Sequence, residues 1–160
     1  MAIEEGTLEA IGAITKELLK KLEIEVSPKV SRGEEESVEV EIEIDDPQML
    51  IGEKGQTLLE LQHLLRLMVR KKLGEAPLLV LDINEYRKSR ETYLRELANT
   101  TADEVALLKK EKELPAMSAQ DRRIVHMVIA ERQDVVSESV GEDPERRIVI
   151  KVKESENPAE

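Results

Sequence analysis

Two glycines three residues apart, Gly52 and Gly55, constrain the fold more than any other feature of the sequence. Before them, a short apolar helical turn ends at Ile51, and after them residues 56–72 predict a second helix, because apolar residues recur there every three or four positions. The glycines let a phosphate approach the backbone, and the second helix offers free amides and a partial positive charge at its start. The sequence therefore predicts a phosphate-binding turn between two helices, to which Lys54 adds a cation.

The predicted elements of residues 1–83 place this turn within a series of helices and strands. Residues 4–22 predict an amphipathic helix, 23–31 and 37–45 a β-hairpin, 48–51 and 56–72 the two helices, and 78–83 a buried strand. The order α-β-β-α-α-β, with a Gly-x-x-Gly turn between adjacent helices, is that of a type II KH domain, in which this loop clamps a single-stranded backbone. Residues 1–83 therefore resemble a KH domain.

The second half predicts a small α/β domain over residues 84–152. Asn84 is expected to cap a long helix that ends near residue 110, and Ser118 is expected to cap a second helix that ends at Ala130. Residues 135–140 and 147–152 predict a hairpin, and residues 153–160 a flexible tail. The predicted fold class is α+β, with the KH-like domain packed against this small α/β domain.

Composition excludes several kinds of site. The chain has no cysteine and only two histidines, so disulfides, thiol nucleophiles and thiolate metal sites are excluded, and we expect no metal and no cofactor. It has no Phe, no Trp and two Tyr, which excludes a binding platform of several stacked rings. It has no long apolar run and no signal-peptide pattern, so we expect no membrane insertion and predict a cytoplasmic protein.

The formal net charge of −11 is unevenly distributed. Residues 1–46 carry 5 basic and 14 acidic side chains, whereas residues 47–73 carry 5 basic and 2 acidic ones. Lys and Arg supply most of the affinity of a protein for a polyanion. The net charge of the whole chain therefore disfavours nucleic-acid binding, whereas the basic segment around the glycine turn favours it.

Two longer stretches carry a specific family resemblance. Residues 49–72, MLIGEKGQTLLELQHLLRLMVRKK, and the following LDINEYRKSRE resemble the KH core of the bacterial Jag family, also called KhpB or SpoIIIJ-associated. Residues 117–126, MSAQDRRIVH, resemble the signature of the R-three-H domain, which is named for an Arg and a His separated by three residues and follows the KH domain in that family. The paired resemblance covers about residues 2–152.

The resemblance implies a protein that binds single-stranded RNA, with single-stranded DNA as a second ligand. The implied contact residues are Ile51, Gly52, Glu53, Lys54 and Gly55 in the loop, and Arg122, Arg123 and His126 in the second half. A groove beside the loop is expected to include Leu58, Arg66 and Arg70. Arg122 and His126 are four residues apart, so on a helix they share a face and can present a guanidinium and an imidazole to one phosphate.

The resemblance also implies a cellular role. It suggests post-transcriptional regulation, a link to cell division or cell-wall elongation, and a small KH-domain protein as a partner. Many relatives carry a separate amino-terminal Jag domain, which we expect to be missing because the first predicted helix begins close to Met1.

An alternative function is a protein-interaction module whose nucleic-acid site has lapsed. Glu53 in the loop would oppose a phosphate, and the net charge of −11 adds to that repulsion, so both features favour this alternative. An enzyme ranks last, because no nucleophile, metal cluster or acid-base pair converges in the sequence.

Overall fold

The computed structural model describes residues 3–154, and the chain divides into two compact units, of which the first ends at Arg87 and the second begins at Lys88. Both units combine helices with a small sheet, so the predicted α+β class is confirmed. Of the predicted flexible tail at residues 153–160, the part from residue 155 onward lies outside the described residues.

The first unit has the predicted α-β-β-α-α-β order. Its elements are α1 (Glu5–Lys21), β1 (Lys29–Arg32), β2 (Ser37–Ile42), α2 (Gln48–Ile51), α3 (Gln56–Leu73) and β3 (Leu78–Ile83). The sheet order is β1-β2-β3, with β1 antiparallel and β3 parallel to β2. Alternate residues of β2 and β3, such as Val40 and its register partner Leu81, are buried against the apolar sides of α1 and α3.

The first strand is shorter than the sequence predicted. Residues 23–31 were expected to be extended, but ladder pairing begins only at Lys29. Glu23 adopts a positive φ of 60°, and the amide of Ile24 donates to the carbonyl oxygen of Leu19 at 2.9 Å, so these residues close the end of α1. Pro28 follows and has no amide hydrogen to donate to a ladder.

Asn84 does not cap the long helix, which corrects the sequence prediction. Its Oδ1 accepts a hydrogen bond from the amide of Ile44 at 2.9 Å, and its Nδ2 donates to the carbonyl oxygen of the same residue at 2.7 Å. Asn84 therefore joins the ends of two neighbouring strand segments. At the start of the helix, the amide of Arg87 donates instead to Oδ1 of Asp82 at 3.3 Å.

The second unit is built on two helices and an antiparallel sheet. Its elements are α4 (Tyr86–Leu108, of which the first two residues belong to the first unit), β4 (Lys112–Glu113), α5 (Ala119–Ala130), β5 (Val135–Val140) and β6 (Arg147–Val152). The sheet order is β4-β6-β5, and the two-residue β4 is too short to leave a periodic signal in the sequence. Ser118 caps α5 as predicted, because its hydroxyl accepts a hydrogen bond from the amide of Asp121.

Candidate nucleic-acid interface

The loop between α2 and α3 is a single tight turn. The amide of Gly52 donates to the carbonyl oxygen of Gln48 at 2.8 Å, and the next three residues form one turn of 3₁₀ helix. Gly52, Lys54 and Gly55 all have positive φ values, of 72°, 52° and 78°. The chain thus reverses over four residues before α3 begins at Gln56.

Both glycines are required by contacts within the protein. A Cβ atom on Gly52 would lie 2.1 Å from Oγ1 of Thr57 and 3.0 Å from its backbone nitrogen. A Cβ atom on Gly55 would lie 2.7 Å from Cε1 of Tyr86. Because neither position has room for a side chain, the spacing of the two glycines is fixed by packing as well as by their left-handed backbone.

Tyr86 is a part of this site that the sequence analysis missed. Its ring lies against Gly55, and it packs onto the core of the first unit. Tyr86 is one of two tyrosines in a chain without Phe or Trp, and it lies three residues after β3. This rarity and this position were the signals in the sequence that could have identified it.

The start of α3 offers backbone donors to a ligand. The residue before the helix is Gly55, and no side chain forms a capping hydrogen bond there. The amide of Gln56 already donates to the carbonyl oxygen of Glu53 in the preceding 3₁₀ turn. The later amides of the first turn and the helix dipole favour an anion at this end. Glu53 and Lys54 carry opposite charges, and both are exposed beside this end of the helix.

The expected groove beside the loop is only partly present. Leu58 is 2% exposed, and both it and Ile51 lie in the hydrophobic core of the first unit. Both side chains are packed in this core, so Leu58, expected in the groove, and Ile51, expected as a loop contact, have little surface open to a ligand. Arg66 and Arg70 are exposed one turn apart on α3, and neither has an ion-pair partner within residues 3–154.

Arg122 forms hydrogen bonds within the second unit. Its Nη1 donates to the carbonyl oxygen of Met117 at 2.7 Å and to Oδ1 of Asp143 at 3.1 Å, and its side chain is only 9% exposed. These bonds join the segment before α5 to the turn between β5 and β6. The sequence expectation that Arg122 presents its guanidinium to a ligand is not met in this arrangement.

His126 and Arg123 are more accessible. Nδ1 of His126, on α5, lies 2.7 Å from Oγ of Ser137 on β5, and the His126 side chain is half-buried. Burial lowers the pKa of His126 below its ordinary value, and the positive charge of Arg122 lowers this pKa further. Arg123 is exposed and has no ion-pair partner in the described part of the chain, so it is the free guanidinium of this helix turn.

The described residues contain neither a membrane-crossing helix nor a metal cluster. Within residues 3–154, no helix is both long enough and apolar enough to cross a membrane. Over the same range, no group of three or more His, Cys, Asp or Glu side chains is arranged to hold a metal ion.

Comparison with known proteins gives matches in both units. The R-three-H domain model matches residues 92–152. The chain is 35% identical over 130 residues to a Clostridium symbiosum protein named RNA-binding protein KhpB, which covers 81% of this chain and 58% of that protein. It is 33% identical over 104 residues to the KhpB protein of Bacillus subtilis, covering 64% of this chain and 50% of that protein.

A third relative shows the same difference in length. The chain is 32% identical over 105 residues to KhpB of Lactiplantibacillus plantarum, which covers 66% of this chain and 33% of that protein. The matched region thus spans between a third and three-fifths of the length of these relatives.

The contact between Gly55 and Tyr86 predicts how alanine substitutions affect stability. Gly55→Ala should lower the free energy of unfolding more than Gly74→Ala, because both positions have a positive φ but only Gly55 faces a neighbouring side chain. In urea unfolding of the full chain, we expect Gly55→Ala to lower the free energy of unfolding by about 1–3 kcal/mol. In a Tyr86→Ala background the cost of Gly55→Ala should fall to that of Gly74→Ala, and an unchanged cost would show that the ring is not the obstacle.

The lowered pKa of His126 predicts a pH dependence of stability. The unfolded chain, with an ordinary histidine pKa of 6.5, binds a proton more readily than the folded chain, so acid favours unfolding. The free energy of unfolding should therefore fall as the pH drops below about 6.5. His126→Gln should reduce this fall, measured as the difference between the variant and the unaltered chain in urea unfolding at several pH values. Parallel pH profiles for the two proteins would contradict the prediction.

Proposed function

Because this chain belongs to the Jag/KhpB family, we propose that it binds single-stranded RNA and uses the Gly52–Gly55 loop as a clamp on the phosphate backbone. The observation that carries this proposal is the start of α3, where two glycines precede a helix whose first-turn amides have no side-chain cap. We assign residues 1–83 to a KH-like domain and residues 84–152 to an R-three-H domain.

The proposed clamp works through backbone donors and one cation. Phosphate oxygens accept hydrogen bonds from first-turn amides of α3 that follow Gln56, and the helix dipole adds a favourable potential. Lys54 contributes a positive charge at the tip of the loop, and Glu53 next to it opposes the phosphate. Charges elsewhere on this acidic chain are screened beyond about 8–10 Å, so the local groups determine whether RNA binds.

In the second unit, we assign the ligand contacts to Arg123 and His126. Arg123 is exposed and free of an ion pair within the described residues, and the imidazole of His126 is partly accessible. Arg122 acts as a positioning residue, since its bonds to Met117 and Asp143 hold the segment before α5 and the β5–β6 turn in place.

The cellular part of the proposal follows from the family. We propose a cytoplasmic RNA-binding protein without enzymatic activity, which acts in post-transcriptional regulation linked to cell division or cell-wall elongation. A small KH-domain protein is its proposed partner. The naming of three relatives as RNA-binding proteins supports the RNA part of this role.

A second candidate function is docking of another protein on α3. Leu64 and Leu67 are large apolar side chains exposed on this helix, at 44% and 48%. Exposed apolar side chains of this size are suited to a protein interface. This candidate becomes the leading one if the loop does not bind RNA.

Charge reversal at the loop tests the proposed clamp. Lys54→Asp should weaken binding of a labelled, randomised single-stranded RNA by about tenfold or more in fluorescence anisotropy, because it replaces a cation near the phosphate by an anion. Glu53→Gln should strengthen binding, since it removes the opposing carboxylate.

Lys16→Asp is the matched control, because it makes the same charge change on the exposed side of α1. This control should alter affinity by less than about twofold. Equal losses for Lys54→Asp and Lys16→Asp would show that only net charge matters and would contradict the clamp. A matched duplex DNA should bind more weakly than the single-stranded RNA.

A further inference from the structure

Tyr93 is an exposed aromatic residue that the proposed clamp does not use. The chain has two tyrosines, no Phe and no Trp, and both tyrosines lie on α4. The ring of Tyr86 packs against Gly55. Tyr93 lies in the second unit, and 53% of its surface is exposed. A tyrosine left half open to solvent on a chain so poor in aromatic residues is a candidate for ligand contact.

The ring of Tyr93 rests on a guanidinium that is itself held in place. Cζ of Arg90 lies 5.3 Å from the centre of the Tyr93 ring, within the range of a cation–π contact. Nε and Nη2 of Arg90 donate to Oδ2 of Asp121 at 3.2 and 2.9 Å. The side chains of Arg90 and Asp121 are only 18% and 10% exposed, so Tyr93 is supported by a nearly buried ion pair at the start of α5.

We propose that Tyr93 forms a stacking subsite for one base of single-stranded RNA. This inference rests on the proposed RNA-binding function and adds a base contact to it. Because every base has a π-face, stacking on one tyrosine accepts any base and adds affinity with little sequence preference. Arg90 fixes the ring in advance, which reduces the conformational entropy that the side chain would otherwise lose on binding.

The charges around Tyr93 favour a base over a phosphate at this position. The positive charge of Arg90, three residues before Tyr93 on the same side of α4, is balanced by Asp121. Glu96 is exposed three residues after Tyr93 and would repel a phosphate. Arg90 and Glu96, which lie three residues before and after Tyr93, are both charged, and this disfavours an apolar protein segment on the ring.

The test compares RNA with an oligomer that lacks bases. The full chain is titrated by fluorescence anisotropy with a labelled oligouridine and with an abasic ribose-phosphate oligomer of equal length. Tyr93→Leu, which removes the ring but keeps an apolar side chain, should weaken oligouridine binding by about fivefold or more and leave binding of the abasic oligomer unchanged. Tyr93→Phe, which keeps the ring, should retain oligouridine affinity within about twofold.

Each other outcome overturns the inference. If Tyr93→Leu binds oligouridine as well as the unaltered chain, the ring does not stack on a base. If Tyr93→Leu weakens binding of both oligomers equally, or if Tyr93→Phe loses affinity for oligouridine, Tyr93 affects binding by maintaining the protein structure and not by contact with a base. If the unaltered chain binds neither oligomer, the proposed RNA-binding function fails together with the subsite, and this result is distinct from all the others.

Discussion

The contact between Gly55 and the ring of Tyr86 is the constraint on which the candidate site depends. It fixes the end of the glycine loop against the residue that starts α4, and it leaves no room for a Cβ atom at position 55. Because Gly55 also adopts a left-handed conformation directly before α3, this one contact sets where the helix begins. First-turn amides of that helix are the donors in the proposed clamp, so the geometry of the proposed clamp depends on a packing contact between a glycine and an aromatic ring.

Intramolecular pairing determines which cations can reach a ligand. Arg122 is bonded to Met117 and Asp143, and Arg90 is bonded to Asp121, so both guanidinium groups stabilise the second unit. Arg123, next to Arg122 in sequence, is exposed and free of an ion pair within residues 3–154. The arginine that gives the R-three-H signature its name is therefore the more structural of the pair, and its neighbour is the better candidate for ligand contact. An acidic protein can bind RNA in this way, because screening leaves only nearby charges effective.

The parts of the fold that local patterns determine could be predicted from the sequence. The bounds of β3, α5, β5 and β6 were predicted because apolar periodicity and turn residues define them within a few positions. Asn84 was misjudged because its partner, Ile44, is forty residues away in the sequence. Leu58 and Arg122 were expected at the surface, but burial depends on what packs over a side chain, and a single sequence does not contain that information. Tyr86 and the ion pair between Arg90 and Asp121 were missed for the same reason.

The proposed binding site for the phosphate backbone of single-stranded RNA consists of the loop and the first turn of α3. The most direct measurement is an amide NMR titration of the full chain with a short oligouridine, in which each backbone amide reports its own environment. If this site binds the oligouridine, the largest changes in chemical shift occur at residues 52–57, with smaller changes around Arg123. Unchanged amides at residues 52–57, with the largest shifts elsewhere in the first unit, would contradict it.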